Sequence, residues 1–313
     1  MTHDIKLMLR YSKETVNLEN CCISMRFDKE RYSAYTELHG QWYCPSATKI
    51  DEIATVILYI DGAAVHNGYP NSLEILKKDG RTVLSVSSVS YTAALVNNQC
   101  EDGLITQVNL TDLITRNGTY PGVQYEKDTP TVNYVNYYDG TSVWDSIVCY
   151  ALRTTKTYPY IAGFNTVRVS PPEARKTFSI ISGDLTSRGN CTDYSRMISS
   201  IYEKDIDGTP KAFTIMNTAA TQRSIVRRRE INFDREWIMD AGAGLNHRID
   251  YSMRAVNCDV FSWLGYNALD LLDIIKVTDI GFSGEIDRIR VTASAEKGIE
   301  TKVWCYHDNY CNQ

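Results

Sequence analysis

Ser46-Ala47-Thr48-Lys49 has the spacing at which a lysine can deprotonate a serine hydroxyl, the SxxK pair of penicillin-binding enzymes. The SDN and KTG elements that complete such a site are absent from the 313 residues, so the match reads as a chance tetrapeptide. Gly281-Phe282-Ser283-Gly284 misses the nucleophile-elbow spacing by one residue and reads as a hairpin turn. Gly242-Ala243-Gly244 lacks the third glycine of a dinucleotide cradle and falls late in a helical pattern rather than after a strand. Asp205-Ile206-Asp207-Gly208 starts like a calcium loop, but the remaining ligand positions and terminal Glu do not follow. It reads as a polar hairpin tip.

The five histidines, His3, His39, His66, His247 and His307, are scattered and form no HExxH or other short ligand spacing. The nine cysteines (Cys21, Cys22, Cys44, Cys100, Cys149, Cys191, Cys258, Cys305 and Cys311) are odd in number and contain no CxxC pair. That speaks against a disulfide framework and a zinc ribbon, and most read as small buried apolar residues. The 38 carboxylates always leave acid–base pairs available to a glycosidase, yet nothing singles one out. No residue is therefore assigned to catalysis, to a cofactor or to a metal. The one charge cluster is Arg223 with Arg227-Arg228-Arg229. In a strand Arg227 and Arg229 share a face, which suits either an intersubunit or phosphate contact, or a solvated edge that resists aggregation.

Positioning such residues requires a fold, and the composition points to strands and contact surfaces. Tyrosine, at 21 residues against 7 Phe and 5 Trp, combines a ring with a polar tip suited to half-buried strands and wet interfaces. The formal charge of −5 is spread among interspersed acids and bases, so no field gathers nucleic acid. DNA is expected only as passing cargo. No basic leader and no apolar window of about 18 residues occurs, which predicts synthesis in the cytoplasm and no direct membrane insertion. Sequons at Asn109, Asn117 and Asn190 are accordingly read as chance tripeptides.

Along the chain, Ile5, Leu7, Leu9 and Tyr11 alternate with polar residues, as do Ile23, Met25 and Phe27, which predicts strands with one buried face. Asp61-Gly62 and Asp79-Gly80 are hairpin turns between Val56–Ile60, Ala63–His66, Leu73–Ile75 and Thr82–Val89. Leu110–Ile114 resembles a capped helical turn. The clearest helix follows Asp139-Gly140-Thr141: Trp144, Ile147, Val148, Ala151 and Leu152 fall on one face, and Ser142 with Asp145 has capping-box spacing. Strands are predicted at Tyr160–Phe164 and Val167–Val169, and a hairpin through Asp207-Gly208 joins Met197–Ile206 to Phe213–Met216. A second helix is predicted from near Asn232, with Trp237, Ile238, Ala241 and Leu245 apolar. Alternation then predicts strands over Ile249–Ala255 and Arg288–Ala293, with turns at Ser283-Gly284 and Lys297-Gly298.

In order, these segments resemble the baseplate hub family of contractile phage tails and tail-like injection particles, which is related to the N-terminal part of type VI secretion spike proteins. The resemblance rests on Ile60-Asp61-Gly62, Val65-His66-Asn67-Gly68, the strand Leu84–Ser88 leading to Tyr91-Thr92 and Leu95, and Leu110–Ile114. It continues through Asp139–Ile147, similar to the G-x-S-x-x-x-x-I helix of hubs, Gly163-Phe164 to Pro171-Pro172, Leu271–Val277 and Ile289–Ala293. It implies a β-rich α+β fold with two tail-tube-like β-barrel domains and an α/β portion between them. The expected division is 1–104, first barrel-like domain; 105–222, mixed α/β; 223–313, helix plus second barrel-like domain. It also implies a homotrimer in a virion tail baseplate that adapts a sixfold tail tube to a threefold spike, with tube, spike and other baseplate proteins as partners. The family offers no catalytic residues to carry over, and no C-terminal cell-wall hydrolase is expected here. The alternatives are a glycan hydrolase of the tail tip and a carbohydrate- or receptor-binding tail module, which the tyrosines permit through stacking on sugars.

Overall fold

A computed structural model of the chain describes residues 3–11, 14–101, 103–137, 140–203, 213–231 and 241–307. The alternating N-terminal segments form strands β1 (Ile5–Arg10), β2 (Thr15–Glu19), β3 (Cys22–Glu30), β4 (Glu37–Tyr43), β5 (Thr55–Ile60), β6 (Ala63–Lys78) and β7 (Arg81–Ser90). Leu7, Leu9, Met25 and Phe27 are buried, as the period of two requires. Asp61 and Gly62 have φ of 50° and 77°, and Asp79 and Gly80 have 51° and 73°. Both dipeptides thus take the left-handed geometry that a two-residue hairpin needs.

The two expected hairpins share one 16-residue strand, because β6 pairs with β5 up to Gly68 and with β7 from Gly68 to Lys78. A register shift between Pro70 and Ser72 leaves Asn71 as the extra residue, directly after a proline that has no N–H to donate. At Gly68 the strands approach so closely that a Cβ would meet the Val89 carbonyl oxygen at 1.9 Å.

These strands belong to an eleven-stranded sheet in the order Leu185–Thr192, Asn257–Leu264, Gly298–Tyr306, Arg288–Ser294, β3, β4, β7, β6, β5, β1, β2. Among the described residues no sheet closes into a barrel. β3 is joined antiparallel to the C-terminal strand Arg288–Ser294, with Met25 opposite Ala293 and Phe27 opposite Val291. The chain divides into two compact units, Met1–Ser187 with Phe261–Val303, and Arg188–Val260 with Trp304–Gln313.

In the first unit, helices α1 (Ala94–Asn97), α2 (Leu110–Arg116) and α3 (Val143–Thr154) follow the meander. The side chains of Asn109 and Ser142 accept the N–H of Asp112 and Asp145, and each acid returns to the backbone of its cap. Both capping boxes are complete. Trp144, Ile147, Val148, Ala151 and Leu152 are all buried, so the predicted stripe is core. Strand Tyr160–Ala162 pairs with Thr166–Arg168, and Thr177–Ile180 runs parallel to Ile274–Val277.

Ser283-Gly284 is not a turn but lies inside strand Phe282–Glu285, which pairs with Ile274–Val277. The turn precedes it, a single 3-10 turn over Thr278–Ile280 ending at Gly281 with φ +67°. Gly281 supplies the left-handed residue, which frees Gly284 for the ladder.

In the second unit, Ser200–Glu203 is central, antiparallel to Phe213–Met216 and parallel to Arg228–Ile231. The expected hairpin pairing is present, and its turn, with Asp205–Gly208, lies outside the described residues. Short helix α4 (Thr218–Gln222) is capped by Asn217, and helix α5 (Ala241–Arg254) follows. The expected start near Asn232, with Trp237 and Ile238, also lies outside them. The strand predicted over Ile249–Ala255 is instead the second half of α5 and its exit. Positions 249 and 253 fit both periods, but the buried set is Ile249, Met253 and Val256, spaced four and three, against Met197, Ile201 and Ala220.

Candidate functional site

The sequence-level candidates for chemistry come apart in three dimensions. Lys49 Nζ bonds Glu52 Oε1 at 3.1 Å, and that bond raises its pKa, so Lys49 is committed away from Ser46 as a base. Gly242 and Gly244 sit at the start of α5. His307 pairs with Asp259 at 2.8 Å, His39 stands 3.8 Å from Glu37, and the His247 side chain lies outside the described part of α5. Among the described residues no group of three or more His, Cys, Asp or Glu forms a metal-ligand set.

Of the eight described cysteines only Cys100, Cys258 and Cys305 are buried; Cys191 is exposed and the others are half-buried. The expectation of mostly buried thiols is thus corrected: Cys21 and Cys44 flank strands β3 and β4, Cys22 opens β3, and Cys149 lies in α3, all on partly wet positions. Burial pushes Cys22 and Cys100 up to about 11 and Cys258 up to about 12, which keeps each a thiol at neutral pH.

A serine–histidine pair that the sequence did not signal is formed across β6 and β7. His66 Nε2 is 2.9 Å from Ser88 Oγ, and His66 Nδ1 is 2.8 Å from Thr36 Oγ1. Ser88 donates its own proton to the Tyr69 carbonyl, so its oxygen accepts from Nε2–H, and Thr36 donates to Nδ1. Ser90 accepts from the Thr36 N–H and bonds Thr92. His66, Ser88, Thr36, Ser90 and Thr92 are fully buried. Burial pushes His66 down to about 3, with the His39 charge adding to it. A neutral imidazole satisfied on both sides and closed to solvent fixes strand register; it offers a substrate no approach.

The second feature is ionic and centres on β3. Lys29 is buried, and its ammonium bonds Asp270 and, at 2.5 Å, the Gly163 carbonyl. Asp270 also accepts the Gly163 and Leu271 N–H groups. Next along, Arg31 Nη1 meets Asp287 at 2.9 Å and Glu285 at 3.6 Å, and Glu285 also takes Arg175. Burial opposes the Arg31 charge, yet its neighbours, the two carboxylates among them, more than offset this and hold the guanidinium above its ordinary pKa. Asp28 collects Arg26 at 2.6 Å, Arg290 at 2.8 Å and Arg288 at 3.4 Å. These pairs clamp β3 to the 270–290 segment. The sequence hint was the density of charge in Arg26-Phe27-Asp28-Lys29-Glu30-Arg31 within a half-buried strand.

A cleft of about 440 Å³ is bounded by His3, Tyr266, Asn267 and Lys297. Its histidine is engaged on both nitrogens, with Asp61 at 2.8 Å and the Tyr266 N–H at 3.1 Å. The arginine cluster lies at a sheet edge, as one of its readings expected. Arg228 and Arg229 are exposed on the edge strand Arg228–Ile231, while Arg227 turns inward to the Tyr194 and Met197 carbonyls.

No family model matches the sequence, and no curated protein matches it. Solved structures do match in fold along nearly the whole chain. The prophage MuSo2 43 kDa tail protein from Shewanella oneidensis aligns at a TM-score of 0.69 and 12% identity, covering 98% of this chain and 99% of that one. The tail protein from Neisseria meningitidis MC58 aligns at 0.66 and 14%, covering 99% and 98%. The E. coli c3393 protein, a component of the type VI secretion system with structural similarity to the T4 bacteriophage tail proteins gp27 and gp5, aligns at 0.60 and 8%, covering 97% and 78%. The chain has the fold of these tail proteins.

Proposed function

We propose that this chain is a structural hub of a phage-type tail tip, joining a sixfold tail tube to a threefold central spike in a phage or phage-like particle. The observation that carries the reading is the end-to-end likeness to a tail protein, 98% of one chain on 99% of the other. The interior supports it. Histidine, lysine and arginine side chains that an enzyme would present to a substrate are spent here on holding strands together, which is what a part under assembly load requires.

In this reading the chain works as a homotrimer with tube, spike and other baseplate proteins as partners. Two tail-tube-like β regions in each of three copies present six similar units to the tube, and closed rotational symmetry is the usual outcome of a repeated heterologous contact. The net charge of −5 suits a lumen that lets DNA pass, because cationic walls would hold phosphate. The exposed arginines accordingly belong at a subunit contact or outer face, away from the channel. A symmetry-resolved electron-microscopy map of the tail tip tests this. Three copies around the axis are expected; absence from the particle, a single copy, or six equivalent copies overturns it. A lysis band on a peptidoglycan zymogram would overturn the non-enzymatic part.

A further inference from the structure

Leu185–Thr192 is an edge strand of the eleven-stranded sheet, and every residue in it after Leu185 is exposed. Burial does little to hold such a strand, so bonds to Asn257–Leu264 must hold it. The Asp193 N–H donates to the Val256 carbonyl at 2.8 Å. Thr192 Oγ1 donates to Asn257 Oδ1 at 3.0 Å, and Asn190 Nδ2 donates to Asp259 Oδ1 at 2.7 Å. The two strands therefore run antiparallel, with Thr192 opposite Asn257 and Asn190 opposite Asp259. Cys191 and Cys258, the residues between these pairs, stand opposite each other.

Alternation puts both cysteines on the face away from the Asn190–Asp259 and Thr192–Asn257 pairs. On that face Cys258 packs with Val260 and Trp304, and its Sγ lies 3.6 Å from the Cys191 carbonyl oxygen. Burial first, and then the neighbouring Cys191 thiol, push Cys258 up to about 12. Hydrogen-bonded pairs recur at every second residue of an antiparallel ladder, so Cys191 and Cys258 form a pair of the same kind as Asp193 and Val256. Such pairs hold their Cα atoms about 5.5 Å apart, inside the range of roughly 4.4–6.8 Å that a disulfide spans. The two cysteines also bracket the second unit. Its core residues Met197, Ile201, Ala220, Ile249, Met253 and Val256 all lie between them in the chain.

We propose that Cys191 and Cys258 are a thiol pair that a soluble disulfide converts to a cross-strand disulfide bond, stapling the chain where it enters and leaves the second unit. The pairing goes beyond the hub reading and does not depend on it. A single bridge also differs from the many-bridged framework that the odd cysteine count argues against. The oxidant is a disulfide of the glutathione class. Exposed Cys191 gives its proton to solvent, and its thiolate attacks one sulfur of the oxidant. The oxidant's S–S bond breaks, and one thiolate leaves and takes up a proton. Cys258 then loses its proton and attacks the Cys191 sulfur, displacing the second thiolate, which is protonated in turn. One S–S bond is made in the protein, and the oxidant is reduced to two thiols.

The test incubates the folded full chain with excess oxidised glutathione, alkylates the remaining thiols before unfolding, and maps linked peptides by mass spectrometry. A peptide joining Cys191 to Cys258 is expected, released by dithiothreitol and absent from Cys191→Ser. Cys44→Ser, which changes a half-buried cysteine elsewhere, should leave the link in place. The oxidised wild type should melt about 3 °C or more above its reduced form, because the bridge closes a long loop of the unfolded chain. Cys191→Ser should melt alike with and without reductant, and its exposed position makes it a control for folding. Glutathione left on Cys191 without a link to Cys258, Cys191 joined to another cysteine, or no link under excess oxidant each overturns the proposal. So does a link that depends on Cys44, or a linked chain that melts no higher than the reduced one.

Discussion

Burying a histidine between two hydroxyls fixes its charge as well as its tautomer. Unfolded, His66 titrates near 6.5; folded, it is pushed down to about 3. As pH falls below 6.5 the unfolded chain takes a proton that the folded chain refuses, so stability is present above that point and drains away toward pH 3. At 1.36 kcal/mol per unit, roughly 3 kcal/mol is lost between about pH 6.5 and 4. His66→Gln should flatten that part of the acid limb in urea melts taken at several pH values; an unchanged limb would mean His66 charges in the native state. The Lys29–Asp270 pair makes a complementary case. Asp270→Ala strands a buried ammonium and should cost roughly 3 kcal/mol, whereas Lys29→Met with Asp270→Ala removes the stranded charge and should recover most of it. Equal losses in the single and double variants would show that Lys29 finds another anion. Neither network was legible beforehand, because Thr36, His66 and Ser88 meet across strands, and Lys29 reaches Asp270 from the other end of the chain. Spacing along a sequence carries no such information.

Elements whose signals are local were readable. The α3 helix has its cap, its dipole acid and its stripe within about a dozen consecutive residues, and all were visible in Ser142–Leu152. Trp144→Ala should destabilise the fold by about 3–5 kcal/mol in denaturant melts, the usual cost of truncating a buried large aromatic. Ser142→Ala should cost about 1 kcal/mol by unmaking the cap. A change below about 1 kcal/mol at Trp144 would contradict its burial. The Asp61-Gly62 and Asp79-Gly80 turns were equally local, since the dipeptide itself accepts positive φ. Elements defined by their surroundings were misread. Ile249, Tyr251 and Met253 alternate as a strand would, and only the packing of Ile249 and Met253 against Met197 and Ile201 selects the helix. Gly284 looked like a turn because glycine permits one, but Gly281 had already taken the left-handed position.

For the whole molecule, what matters is which parts of the chain must find each other. The first compact unit is assembled from Met1–Ser187 and Phe261–Val303, with the residues between them in the second. Its sheet is completed where β3 meets Arg288–Ser294, and the Arg31–Asp287 and Asp28–Arg290 pairs seal the same join. On a ribosome adding about 5–20 residues per second, β3 therefore emerges on the order of tens of seconds before its partner strand exists. Through that interval the nascent meander carries an open, half-apolar edge, the kind of template that invites mispairing. The join acts as a proofreading step on synthesis: a chain stopped short of residue 288 keeps the edge bare and should appear in the insoluble or protease-sensitive fraction of a pulse-chase experiment. Only a polypeptide finished through Ser294 can bury it.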